Sequence, residues 1–204
     1  DDTDEGKIKN PFNERTLRGS WIHRMRHTSQ PLQEQFTLFL HDTFVSEFTK
    51  VRNGVSGRVR FGNDGSAPAN QQCTNGNIPP DNQLRNKIAS RLLREQHDLL
   101  RTEGHGSYRA LLRRITRDPA MLIYLDNRLN LYGRSAQENY AREIMELFSM
   151  GVGNYSEEDV REVARAFTGE TMDVSCQRDW PYTHVYQDIF HDPDEKIVFG
   201  NSFN

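Results

Sequence analysis

The 204-residue chain lacks long apolar runs. Its mean hydropathy is −0.82, and no stretch approaches the ~18 consecutive apolar residues that a spanning helix needs. A basic leader is missing too, since the first residues are Asp1-Asp2-Thr3-Asp4-Glu5. The expectation is that the chain begins after any signal segment. Cysteine is nearly absent. With only Cys73 and Cys176 there is no four-cysteine zinc site and no C-x-x-C pair. Both cysteines stand in polar or Gly-, Asn-, Pro- and Ser-rich sequence, whereas buried free thiols normally sit in cores. One reading is a disulfide closing a loop of roughly a hundred residues, stabilising by ~4–5 kcal/mol in the chain-entropy model. It would imply an oxidising compartment. The other reading is two unrelated thiols.

Lysine is scarce as well, at 5 against 21 arginines. The net charge of −3 argues against a general nucleic-acid binder. It averages two opposed regions. Residues 85–117 hold nine basic and three acidic side chains, a local +6. Residues 137–173 hold nine acidic and three basic ones, a local −6. Two helical stretches facing each other or solvent would account for this, and an anion-binding surface on the basic stretch is the functional alternative. The 11 Phe, 7 Tyr and 2 Trp are too many aromatics for a disordered chain.

The periodicity is helical through most of the chain. A first helix spans 14–27 on Leu17, Trp21 and Met25. Pro31 opens a second, with an apolar stripe of Leu32, Phe36, Phe39, Leu40, Phe44 and Phe48. Residues 52–80, rich in Gly, Asn, Ser and Pro, read as a long insertion loop. Asp81 can cap a third helix, which Gly104-His105-Gly106 breaks. Ser107 starts a fourth, to Thr116, and Asp118-Pro119 opens a short fifth. A sixth is expected from a Ser135 cap to Met150, with Gly151 after it. Ser156 to Asp159 resembles a capping box for a seventh, ended by Gly169. Residues 171–174, 183–186 and 196–199 read as short strands of one β ribbon. The expected fold is mainly α: about seven helices with a small C-terminal β ribbon. Residues 1–13 are an extended lead-in, 14–204 a single helical domain, and 170–204 its β-containing region.

No P-loop, dinucleotide fingerprint, nucleophile elbow or HExxH occurs. Four constellations are left. Glu34 and His41 lie two turns apart on the second helix, as metal ligand or base with an orienting carboxylate, or as a polar pair bracing a helix interface. Asn139, Glu143 and Glu146 share one face of the sixth helix. They are ligands or an acid/base pair, or else a buried network with Arg142, Arg161 and Arg165. Asp126, Asn127 and Asn130 offer oxygen ligands or an Asx-stabilised turn. His191 and Asp192, with Asp188, Asp194 and Glu195, form an acidic loop or a solvated turn.

Several long runs occur in a recognisable order. They include Pro31-Leu32-Gln33-Glu34-Gln35-Phe36-Thr37-Leu38-Phe39-Leu40-His41 and Arg117-Asp118-Pro119-Ala120-Met121-Leu122-Ile123-Tyr124-Leu125-Asp126-Asn127. The densest is Glu138-Asn139-Tyr140-Ala141-Arg142-Glu143-Ile144-Met145-Glu146-Leu147-Phe148-Ser149-Met150-Gly151, continued through Ala166-Phe167-Thr168-Gly169. Together they resemble the bacterial domain-of-unknown-function family 1800, over most of residues 21–200 outside the insertion. This chain departs from the family pattern at Glu170, where Trp is usual, and at Leu40 and Asp42 beside His41. The resemblance implies a helical fold, a periplasmic or secreted setting, and a larger protein of which this chain is a piece. It implies no settled activity.

Two functions follow as expectations. The first is a structural or assembly component of the envelope, working with a protein partner or the remainder of the same protein, without a membrane span or nucleic acid. In it Glu34, Asn139, Arg142, Arg161 and Arg165 form a structural polar network. Its oligomeric state is open. The second is a metal-dependent hydrolase or oxidoreductase, with His41, Glu143 and Glu146 catalytic and Glu34, His41, Asp126 and Glu143 holding a divalent metal. The polar face of the sixth helix is expected to turn inward, toward His41 or the Asp126 turn, with Arg142 paired to a carboxylate inside the domain.

Overall fold

The computed structural model describes residues 13–55, 82–134, 137–174 and 182–203. Among them are eight α-helices and two β-hairpins. The helices are α1 (Glu14–His27), α2 (Pro31–Thr43), α3 (Phe48–Gly54), α4 (Asn82–Glu103), α5 (Tyr108–Thr116), α6 (Pro119–Tyr124), α7 (Asn139–Glu146) and α8 (Glu157–Ala166). β1 (Glu170–Val174) pairs antiparallel with β2 (Tyr182–Tyr186), in a register that sets Met172 opposite His184. β3 (Lys196–Val198) pairs with β4 (Asn201–Phe203). No helix among the described residues is long and apolar enough to cross a membrane.

Local chemistry sets the helix starts. Asn13, Ser107 and Asp118 each accept a hydrogen bond from the backbone N–H three residues on. Pro31 and Pro119 occupy first-turn positions, where their missing N–H costs nothing. Ser156 and Asp159 complete a reciprocal capping box at α8. The shorter Asp carboxylate spans the same gap as the usual Glu.

The core is organised around α6. Ala120, Met121, Leu122 and Ile123 are all fully buried, so this six-residue helix is apolar on every side. One flank packs on Val51, Val55, Ile88, Leu92, Met172 and Tyr182. The other packs on Leu40, Phe44, Leu100, Leu111, Ile115 and Tyr140. Each fully buried Leu, Ile or Met side chain contributes about 1.5–3 kcal/mol of transfer free energy. A satellite cluster of Ala141, Met145, Val160 and Ala164 joins α7 to α8.

Four sequence expectations need correction. The insertion loop does not begin at 52, because α3 continues to Gly54 and closes the core with Val51 and Val55. The sixth helix is only α7: it starts after Glu138, whose side chain makes no capping bond, and its end turns at Leu147. The β region is two separate hairpins rather than one ribbon. The apolar stripe expected on α2 is also split: Leu40 and Phe44 enter the core, and the rest of α2's inner face is polar. Glu34, Thr37, Leu40 and Phe44 are the buried positions, while Leu32, Phe36 and Phe39 face outward at 75%, 37% and 61% exposure. Cys73, Cys176, Asp81 and Ser135 lie outside the described residues.

Candidate functional site

The most chemically unusual place in the described structure is the seam between α2 and α4, roofed by α1. Glu34 and His41 face it from α2, and His97 and Arg101 from α4. Four-residue spacing puts His97 and Arg101 on one face of α4, matching the two-turn spacing of Glu34 and His41. Glu34 is buried, and its carboxylate accepts a hydrogen bond of 2.6 Å from Arg101 Nε. Gln33 Nε2 adds a bond to the Arg101 carbonyl oxygen.

His41 Nε2 and His97 Nδ1 stand 2.9 Å apart. The Trp21 ring covers both imidazoles, at centroid distances of 4.4 and 5.0 Å. Burial pushes His41 down to about 4, and the neighbouring His97 adds to the shift. Burial also lowers His97, against an opposing pull from Asp98. Both rings are therefore neutral at pH 7, and one donates its N–H to the other's lone pair. Trp21 Nε1, His97 Nε2 and Glu34 Oε2 are buried without hydrogen-bond partners. Such a pair can pass a proton across the seam or present two nitrogens to a borderline transition-metal cation.

The other expected residues lie elsewhere. Asp126 sits at the end of α6 in the left-handed region (φ 59°), with Lys50 Nζ 2.7 Å from its carboxylate. Asn127 and Asn130 are fully buried, and Asn130 Nδ2 donates to the Ala164 carbonyl, tying the turn to α8. The polar face of α7 does not turn inward. Tyr140, Ala141 and Met145 take the buried side because they complete two apolar clusters, leaving Asn139 exposed and Glu143 and Glu146 half-buried. Burial, and then Glu146, raises the Glu143 carboxyl. Glu146 accepts a bond from the Tyr155 hydroxyl.

The expected arginine partners of α7 are engaged with other acids. Arg142 makes two 2.8 Å bonds to Glu157, at the surface rather than inside the domain. Arg161 pairs with Glu158. Arg165 bridges Glu162 and Asp192, and Glu162 accepts from the Ile197 backbone N–H. Lys196, buried beside the Asp192 carbonyl, completes a staple between α8 and β3. The His191-Asp192 loop is thus part of that staple. Among the described residues no three His, Cys, Asp or Glu side chains gather in a group able to hold a metal.

His97 and Trp21 were not singled out from the sequence. The available signal was a polar residue on the Leu93–Leu100 face of α4 and an indole on the inward stripe of α1.

No curated protein and no solved structure matches the chain. The sequence model of one family, described as "Protein of unknown function (DUF1800)", matches residues 82–204, from the start of α4 through β4. That is more than half of the chain, which therefore belongs to the DUF1800 family.

Proposed function

We propose that the chain is a structural or assembly component of the bacterial cell envelope or extracellular space, acting through surfaces on a protein partner. The observation that carries this reading is how its acidic side chains are used. Glu34 goes to Arg101, Asp126 to Lys50, Glu157 to Arg142, and Glu162 and Asp192 to Arg165. All but the Glu162–Arg165 pair, which lies within α8, join two segments of the fold, and that is the pattern of a scaffold. The outward apolar stripe of Leu32, Phe36 and Phe39 supports it, because contiguous exposed apolar surface marks interaction sites. The periplasmic or secreted setting rests on the family resemblance.

A second reading, a metal-dependent hydrolase or oxidoreductase, is favoured by one observation, the Trp21-covered His41–His97 pair. Elemental analysis of the protein purified from its native source separates the two. The expected result is a folded protein without stoichiometric transition metal. A stoichiometric metal, lost on His41→Ala or Glu143→Ala with the helical circular dichroism intact, overturns the assembly reading.

A further inference from the structure

A second feature lies away from the seam. A groove of about 370 Å³ runs beside α5 toward α7 and the end of α8. Arg109 and Arg113 of α5 and Arg117 at its C-terminal cap form one wall, and Leu112, Ile144 and Phe167 form the apolar floor. Thr116 contributes no free polar group. Its hydroxyl accepts from the buried Tyr140 hydroxyl and donates to the Leu112 carbonyl.

The charges along the wall are not equivalent. Arg117 lies 3.8 Å from Glu170, which is also paired with His184. Arg109 and Arg113 are exposed and have no ion pair or side-chain hydrogen bond among the described residues. Three guanidinium groups against one carboxylate leave the groove lining with a net charge of +2. The two uncommitted cations stand one helical turn apart.

That spacing selects a ligand. Four helical residues advance about 6 Å along the axis. Two residues of an extended chain advance about 6.6 Å. An extended segment laid along α5 therefore meets Arg109 and Arg113 with side chains i and i+2. The side chain between them points away from α5, toward Ile144 and Phe167. Carboxylates suit the wall because guanidinium binds them through paired, charge-assisted hydrogen bonds. A nucleic-acid strand fits the surroundings less well, since the chain carries −3 overall and the floor supplies aliphatic side chains with a single aromatic ring.

We infer that the α5 groove binds an extended acidic peptide segment of a partner protein, with an acidic–apolar–acidic pattern whose carboxylates meet Arg109 and Arg113. This rests on the assembly reading above and names the chemistry of the partner.

The test is fluorescence anisotropy with the full chain and a fluorescein-labelled Gly-Glu-Leu-Glu-Gly-Ser peptide. Saturable binding is expected at low salt, weakening as the ionic strength passes ~0.15 M, where the Debye length is about 8 Å. Replacing both Glu of the peptide by Gln is expected to weaken binding by about tenfold, and Arg113→Ala in the protein by about threefold to fivefold. Arg109→Ala is expected to act in the same direction. Both arginines are exposed, so the variants keep the fold, and circular dichroism checks this. No saturable binding at low salt, equal binding of the Gln peptide, or binding that survives both arginine variants overturns the inference. So does an oligothymidylate strand that binds as tightly as the peptide, which would make the groove a general anion surface. Failure here leaves the metal content untouched, and a stoichiometric metal would overturn the assembly reading without altering peptide binding.

Discussion

Glu34 shows what a single buried charge does in this protein. Its side chain is 2% exposed, while its partner Arg101 retains 26%. Deleting one partner of such a pair costs more than the pair contributes, because the other charge is left desolvated. Glu34→Ala is expected to destabilise by about 2–3 kcal/mol. Glu34→Gln, which still accepts from Arg101, is expected to cost less. Urea denaturation midpoints check both. Gly169 carries a different constraint. Its φ is +83°, and an added Cβ would stand 2.8 Å from the Gln187 carbonyl oxygen and 3.1 Å from the His191 nitrogen. Both are backbone atoms of the segment that Gly169 itself hydrogen-bonds. Gly169→Ala is expected to cost more than about 2 kcal/mol, the left-handed penalty plus the clash. Gly153, also at positive φ but with open space around it, supplies the control. Gly153→Ala is expected to cost only the backbone part, and thermal midpoints of the two variants separate the contributions. The glycine itself is legible in the sequence as a helix terminator. The close approach of residues 187–191 is not, because it depends on where β2 returns.

At the scale of elements, the seam and the start of α6 titrate in opposite senses. His41 is held near 4 against an ordinary 6.5. Its unfolded form binds the extra proton between those values, so stability from His41 is complete above pH 6.5 and is lost as pH falls toward 4. The full effect is on the order of 3 kcal/mol. Asp118, fully buried at the α6 N-cap, is raised by burial from 3.8 to about 7, despite bonds from Met121 N–H and Gln96. Here the folded form holds the extra proton, so stability is greatest below pH 3.8 and is lost as pH rises through 7. His97 follows the sense of His41, and Glu143 that of Asp118. The opposed trends are expected to flatten the wild-type profile between about pH 4 and 6.5. His41→Gln is expected to leave stability falling with rising pH, and Asp118→Asn to leave it rising. Urea unfolding at pH 4.5, 5.5 and 6.5 reads both slopes, and parallel profiles for the two variants would contradict the assignment. The splitting of the apolar stripe of α2 belongs to this scale too. Its periodicity identified a helix, but an aromatic residue at every turn left two faces competing for the interior. Arg101 and His97 on α4 decided between them, since they offered partners to Glu34 and His41.

For the whole molecule, the segregated charge has a structural consequence. The basic α4–α5 region and the acidic α7–α8 region meet in only one ion pair among the described residues, Arg117–Glu170, while pairs such as Arg142–Glu157 and Arg161–Glu158 stay within the acidic region at the surface. Exposed pairs of this kind contribute roughly 0–1 kcal/mol each. Cohesion comes instead from α6, buried between two apolar clusters that draw on helices from α2 to α7 and on both strands of the first hairpin. This is why the expected four-residue metal set does not assemble. Glu34 and His41 belong to the α2–α4 seam, Asp126 to the end of α6, and Glu143 to the outer side of α7.

Local chemistry was enough to read much of this protein from its residues. Caps and Pro positions marked the starts of α2, α5, α6 and α8, and apolar periodicity marked α1. Alternation and turn residues located the β region, and the order of motifs identified the family. These features depend on contacts within a few residues, so they survive in one dimension. The tertiary structure alone decided which face of α2 is buried, that α7 leaves its carboxylates half-buried at the edge rather than in the core, and that His41 meets His97 beneath Trp21. It also set Arg109 and Arg113 as an uncommitted pair above an apolar floor. Each of those outcomes depends on which distant side chain offers the better partner, and sequence spacing carries no record of that competition.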